Sequence, residues 1–143
     1  MLIALALAAL AIVVAMVVQR RQRPDAPVRT GYAVPAQLAR NDFTRADAPW
    51  LVAVFTSGTC NACAAVWDKA RHLESDAVAV QEVEYVADRT LHDRYGIEAV
   101  PLALVVDSTG VVQASFMGPV TATDLWAAVA EAREPGSTPD TCH

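Results

Sequence analysis

Cys60 and Cys63 are separated by two residues in Cys60-Asn61-Ala62-Cys63. Two thiols at this spacing in the first turn of a helix can close a small disulfide ring and reopen it. Unpaired N–H groups and the positive end of the helix stabilise a thiolate there. The thiolate is the attacking species in disulfide exchange, so a lowered pKa raises the active fraction near neutral pH. With Cys60 at the exposed start and Cys63 one turn in, Cys60 is expected to attack and Cys63 to resolve. Half of a zinc site has the same spacing, but zinc needs two further ligands, for which the chain offers only Cys142-His143, His72 or His92. The reading favours exchange and assigns no metal. There is no Gly-rich phosphate loop, no Ser/His/Asp set and no CxxCH haem site, so no cofactor is implied.

The elements that must position the pair can be read around it. Trp50 to Phe55, dense in branched and aromatic residues, reads as a buried strand between Asp47-Ala48-Pro49 and Thr56-Ser57-Gly58-Thr59. Cys60 to about Ser75 reads as a helix with Thr59 as its N-cap. Val78 to Val86 alternates as a second strand, and Ala87 to Tyr95 is a short amphipathic helix stopped by Gly96. On this reading His72 and His92 lie on helix surfaces, and the tryptophans fill core or helix-packing positions. Leu102 to Val106 and Val111 to Phe116 flank a hairpin connection at Asp107–Gly110. Thr121 to Glu134 is a last helix with Leu125, Trp126, Val129 and Ala130 on one face. Strand, crossover helix, strand, hairpin and covering helix make an α/β domain with a mixed sheet.

Composition bounds the rest. The 143 residues are 54% hydrophobic and 19% charged, which excludes a disordered chain, and three cysteines are too few for a stapled secreted module. Arg20, Arg21, Arg23 and Arg29 against Asp25 give a local charge of +3, while residues 30–143 carry seven basic and fifteen acidic side chains. The net charge of -5 argues against nucleic-acid binding. Leu2 to Val18 is an unbroken apolar run, and at about 1.5 Å per residue it spans roughly 26 Å, the short end of what crosses a bilayer. A cleavable signal peptide would carry Lys or Arg before such a run, whereas the arginines here follow it. The expected organisation is a membrane anchor at 1–19, a linker at 20–32, a folded domain at 33–134 and a flexible tail at 135–143. Arginines after the span place the domain in the cytoplasm by the positive-inside tendency, with an extracytoplasmic domain as the alternative.

From Phe43 to Arg133 the chain resembles the thioredoxin superfamily. The resemblance rests on Leu51-Val52-Ala53-Val54-Phe55 leading into Thr59-Cys60-Asn61-Ala62-Cys63, on Tyr95-Gly96-Ile97 before Val100-Pro101, on the hairpin ending at Gly118 and on the last helix. It implies a thioredoxin-like mixed central sheet flanked by helices. It further implies that Cys60 is the nucleophile, Cys63 the resolving thiol and Pro101 a cis-proline. Val100 would offer its backbone to an extended substrate strand, with Thr59 on the same substrate-facing rim. Two positions depart from the family. Thr59 stands where a tryptophan is usual. Val54 replaces a buried acid, and the lysine opposite that acid aligns with Glu82. Proton transfer for Cys63 is then expected through water or through Glu82 or Glu84. The expected function is a membrane-tethered thiol–disulfide oxidoreductase that exchanges electrons with disulfide or dithiol proteins, or small thiols, and with a reducing or oxidising partner. Two readings stay beside it: a thioredoxin-like adaptor with a structural disulfide, and an extracytoplasmic carrier of thiols or metal.

Overall fold

The computed structural model describes residues 31–137. The anchor expected at 1–19, most of the linker at 20–32, and Cys142-His143 lie outside the described residues. Among the described residues no helix is long and apolar enough to cross a membrane.

The sheet has four strands: β1 (Trp50–Thr56), β2 (Val78–Glu84), β3 (Leu102–Val106) and β4 (Val112–Met117), in the order β2-β1-β3-β4. β1 runs parallel to β2 and antiparallel to β3, and β3 pairs antiparallel with β4. The sheet is therefore mixed, as the pattern predicts. Six of the seven residues of β1 and all five of β3 are buried, because these two central strands are covered on both faces. The helices are α1 (Cys63–Ala70), continued by a 3-10 turn at Arg71–Leu73, α2 (Arg89–Tyr95) and α3 (Ala122–Arg133).

Alternation along β1 divides the core. Val52 and Val54 pack with Val66 and Ala70 of α1 and with Leu125 and Val129 of α3. Leu51, Ala53 and Phe55 face the other way, onto Leu38, Phe43 and the α2 side chains Leu91 and Tyr95. The chain ahead of β1 thus completes the second face: Leu38 donates its N–H to Gly110 O at 2.8 Å, and Arg40 reaches Asp107 O.

Several expected boundaries move. β2 ends at Glu84, two residues early, because the Glu84 carboxylate accepts the N–H groups of Val86 and Ala87 and turns the chain. α1 begins at Cys63 and not at Cys60. α3 begins one residue later than expected, and Thr121 is its N-cap, the side chain accepting from Asp124 N. Its buried face is Leu125 and Val129, however, and Trp126 is 46% exposed, with its indole N–H donating to Lys69 O across the α1–α3 contact. The hairpin at Asp107–Gly110 forms as expected, with the Asp107 carboxylate taking bonds from Thr109, Val111 and Gln113.

Candidate functional site

Strand register brings three connections to one end of the sheet. Phe55 pairs with Leu102, and Thr56 pairs with Glu84. The segment leaving β1 (Ser57 to Ala62), the segment leaving β2 (Tyr85 to Asp88) and the segment entering β3 (Ile97 to Pro101) therefore emerge together.

The first of these carries the cysteines. Cys60 N donates to Ser57 O at 3.0 Å and Cys63 N to Cys60 O at 3.3 Å, so two tight turns precede the helix. Cys60 thus lies three residues before α1, and the helix has no side-chain cap. Thr59 is not the N-cap: its hydroxyl pairs with Ser57 Oγ at 3.2 Å, because the turn aims it back along the loop. The two sulfurs are joined as a disulfide with Cα atoms 5.5 Å apart. Cys63 is 2% exposed, whereas Cys60 is half-buried and open to solvent. The first turn of α1 holds no acidic residue, which leaves its positive end unopposed beside the pair.

The Val100–Pro101 peptide bond is cis. Pro101 is buried and its C=O accepts from Gly118 N at 2.8 Å, which ties this segment to the end of β4. Val100 N–H and C=O form no hydrogen bond among the described residues, so both are available to a strand laid against them.

The two glutamates of β2 differ in what they do. Glu82 is in register with Val54 on the α1 side of the sheet, and its carboxylate accepts from the buried Thr56 hydroxyl at 2.8 Å. Glu84, the other sequence candidate for proton transfer, has a carboxylate that accepts three backbone N–H groups: Val86 at 2.8 Å, Ala87 at 3.0 Å and Gly58 at 3.0 Å. Those bonds, led by the one from Ala87, hold its carboxyl below the usual range. They also fasten the turn after β2 to the loop that carries Cys60.

His92 is likewise not on a surface. It is 2% exposed, its Nε2 donates to Val83 O at 2.9 Å, and Phe55 and Tyr85 meet its ring edge-on at 5.2 and 5.3 Å. The signal was weak: His92 adjoins Leu91 and precedes Tyr95, the apolar face of α2, but only the crossing of α2 over the strand ends buries it. His72 is exposed, as expected. No group of three or more His, Cys, Asp or Glu side chains suited to a metal ion occurs among the described residues.

No protein-family model and no curated sequence matches the chain. Solved structures do. A mutant thioredoxin from Halobacterium salinarum superposes with a TM-score of 0.55 at 22% identity, over 69% of this chain and 86% of that one. Thioredoxin f from spinach chloroplast gives a TM-score of 0.52 at 18% identity, over 71% and 98% respectively. Thioredoxin-2, a component of the malaria parasite protein secretion machinery, gives 0.51 at 17%, over 58% and 82%. The fold is thioredoxin-like, and the Cys60–Cys63 disulfide lies where β1 leads into α1.

Proposed function

We propose that this protein is a membrane-tethered thiol–disulfide oxidoreductase. One observation carries the reading: a solvent-open Cys60 and a buried Cys63 share one end of a thioredoxin fold with a cis-proline whose neighbour has an unpaired backbone. In the reducing direction the Cys60 thiolate attacks one sulfur of a substrate disulfide. A bond forms between Cys60 and that sulfur, and the other substrate sulfur leaves as a thiolate. Cys63, once deprotonated, attacks Cys60 Sγ; the mixed disulfide breaks, the Cys60–Cys63 bond forms and the second substrate thiolate leaves. The substrate gains two electrons and two protons, and a dithiol partner must reduce the protein again. Val100 pairs with the substrate backbone, Pro101 shapes the rim and Thr59 borders it. Glu82, in register with Val54 on the α1 face of the sheet, is the carboxylate that would take the Cys63 proton.

The tether rests on the apolar run of residues 2–18, and the arginines at 20, 21 and 23 favour a cytoplasmic domain in which the pair is mostly reduced. Labelling of Cys142 in intact cells by a membrane-impermeant thiol reagent would overturn that topology. The activity is tested by insulin reduction with dithiothreitol, using the intact chain in detergent. Cys60→Ser is expected to abolish the acceleration, and Cys63→Ser to accumulate a mixed disulfide. Equal rates for wild type and Cys60→Ser would leave an adaptor with a structural disulfide.

A further inference from the structure

Beside the cysteine loop lies a cleft of about 390 Å³, bounded by Ser57 on one side and by Ile97, Glu98 and Val100 on the other, with Tyr85 between. Its lining is mixed: Tyr85, Ile97, Ala99 and Val100 supply hydrocarbon, and Ser57, His92 and Glu98 supply polar groups. Glu98 is exposed and its carboxylate has no hydrogen bond or ion pair among the described residues. The neighbouring charges are already engaged. Glu84 is bound to three backbone N–H groups, and Arg89 lies 5.2 Å over the Tyr85 ring with Asp93 at 3.7 Å. The one charge this cleft offers an incoming group is therefore negative, on a domain with seven basic and fifteen acidic side chains in residues 30–143.

A mixed lining with hydrocarbon from Tyr85, Ile97 and Val100 and a lone carboxylate suits a side chain with a hydrocarbon stem and a cationic head, since such chains cover apolar surface with the stem and keep the charge at the water boundary. An aliphatic or aromatic side chain would leave Glu98 unanswered, and an acidic one would be repelled. Glu98 precedes the docking residue Val100 by two positions, so the occupant is a residue close to the reacting cysteine of a substrate laid along Val100. We propose that this cleft selects substrates with a lysine or arginine flanking the reactive cysteine, the stem lying on Tyr85, Ile97 and Val100 and the cation meeting Glu98. This selection rests on the oxidoreductase reading above and names its substrate class.

The test uses the intact chain and two peptides, each with one intramolecular disulfide and alike except for Lys or Glu beside the first cysteine. At low salt kcat/KM is expected to be about three- to tenfold higher for the Lys peptide, the range of a solvent-edge ion pair with a partly buried stem. The preference should shrink in about 0.5 M salt, where the Debye length falls below the reach of such a pair. Glu98→Lys should lower kcat/KM for the Lys peptide and raise it for the Glu peptide. Equal values for both peptides at low salt, or a preference that survives Glu98→Lys, overturns the selection while leaving the oxidoreductase reading intact. Failure to reduce either peptide or insulin overturns both.

Discussion

Replacing Val54 with aspartate puts a carboxyl on the sheet face beneath α1, and the structure sets what that should cost. Val54 is 0% exposed and packs among Val52, Val66, Val78 and Val80. Losing the buried valine costs about 2 kcal/mol in transfer alone, and a polar group without a partner adds roughly 1–3 kcal/mol. Together about 3–5 kcal/mol is removed from a domain whose whole stability is on the order of 5–15 kcal/mol. The midpoint of thermal unfolding should drop by about 15 °C or more. The pH dependence identifies the cause. The new carboxyl faces an apolar wall and has Glu82 as its register partner on β2, so burial and a like charge both raise its folded pKa. Above about pH 4 the unfolded chain releases this proton and the folded chain keeps it. The variant therefore loses further stability as pH rises, at about 1.4 kcal/mol per unit, until the folded pKa is reached. Urea unfolding followed by circular dichroism at pH 4.5 and 7.5, with Val54→Asn as the non-titrating control, measures this. The aspartate variant should fall below the asparagine variant only at the higher pH. Equal losses at both pH values would mean that the carboxyl ionises freely and that the wall at position 54 is not dry.

Two other outcomes follow from the same end of the molecule and from the hairpin. Glu84→Gln removes the charge that fastens Gly58, Val86 and Ala87, and should slow insulin reduction severalfold without changing which cysteine is alkylated first. Because the folded pKa of Glu84 is depressed, its contribution is present above the unfolded value of about 4.3 and is lost as pH falls through the folded one. The stability gap between wild type and Glu84→Gln should therefore close below pH 4 in urea titrations; a gap that widened there would contradict the assignment. Gly110→Ala should destabilise by several kcal/mol: its φ is +88°, and a Cβ there would sit 2.0 Å from Leu38 O, on the backbone that covers the second face. A midpoint within a degree or two of wild type would refute that packing.

What could be read from residues alone is what neighbouring residues decide. The apolar run of β1 followed by Ser57-Gly58-Thr59 and the cysteine pair marks a strand ending at a redox-capable turn, since burial and turn chemistry are both local there. The same holds for the Gly96 stop of α2, the Asp107–Gly110 hairpin, and the mixed sheet implied by strand, helix, strand and hairpin. The helix start slipped by three residues because Cys60 N bonds Ser57 O, a turn that competes with the first helical turn and leaves no mark in propensity. The fates of individual polar side chains were set by packing. His92 is dry because α2 lies across the ends of β1 and β2, and Trp126 is half in water because α3 turns Leu125 and Val129 to the sheet instead. Glu84 clamps Gly58, and Glu98 faces a cleft shared with Ser57, only because the parallel β1–β2 register and the antiparallel β1–β3 register bring segments 26 to 41 residues apart to one edge. Hydrophobic period and turn chemistry fix which elements exist; which charges meet across the strand ends is fixed by register, a property of pairs of strands that no single segment carries.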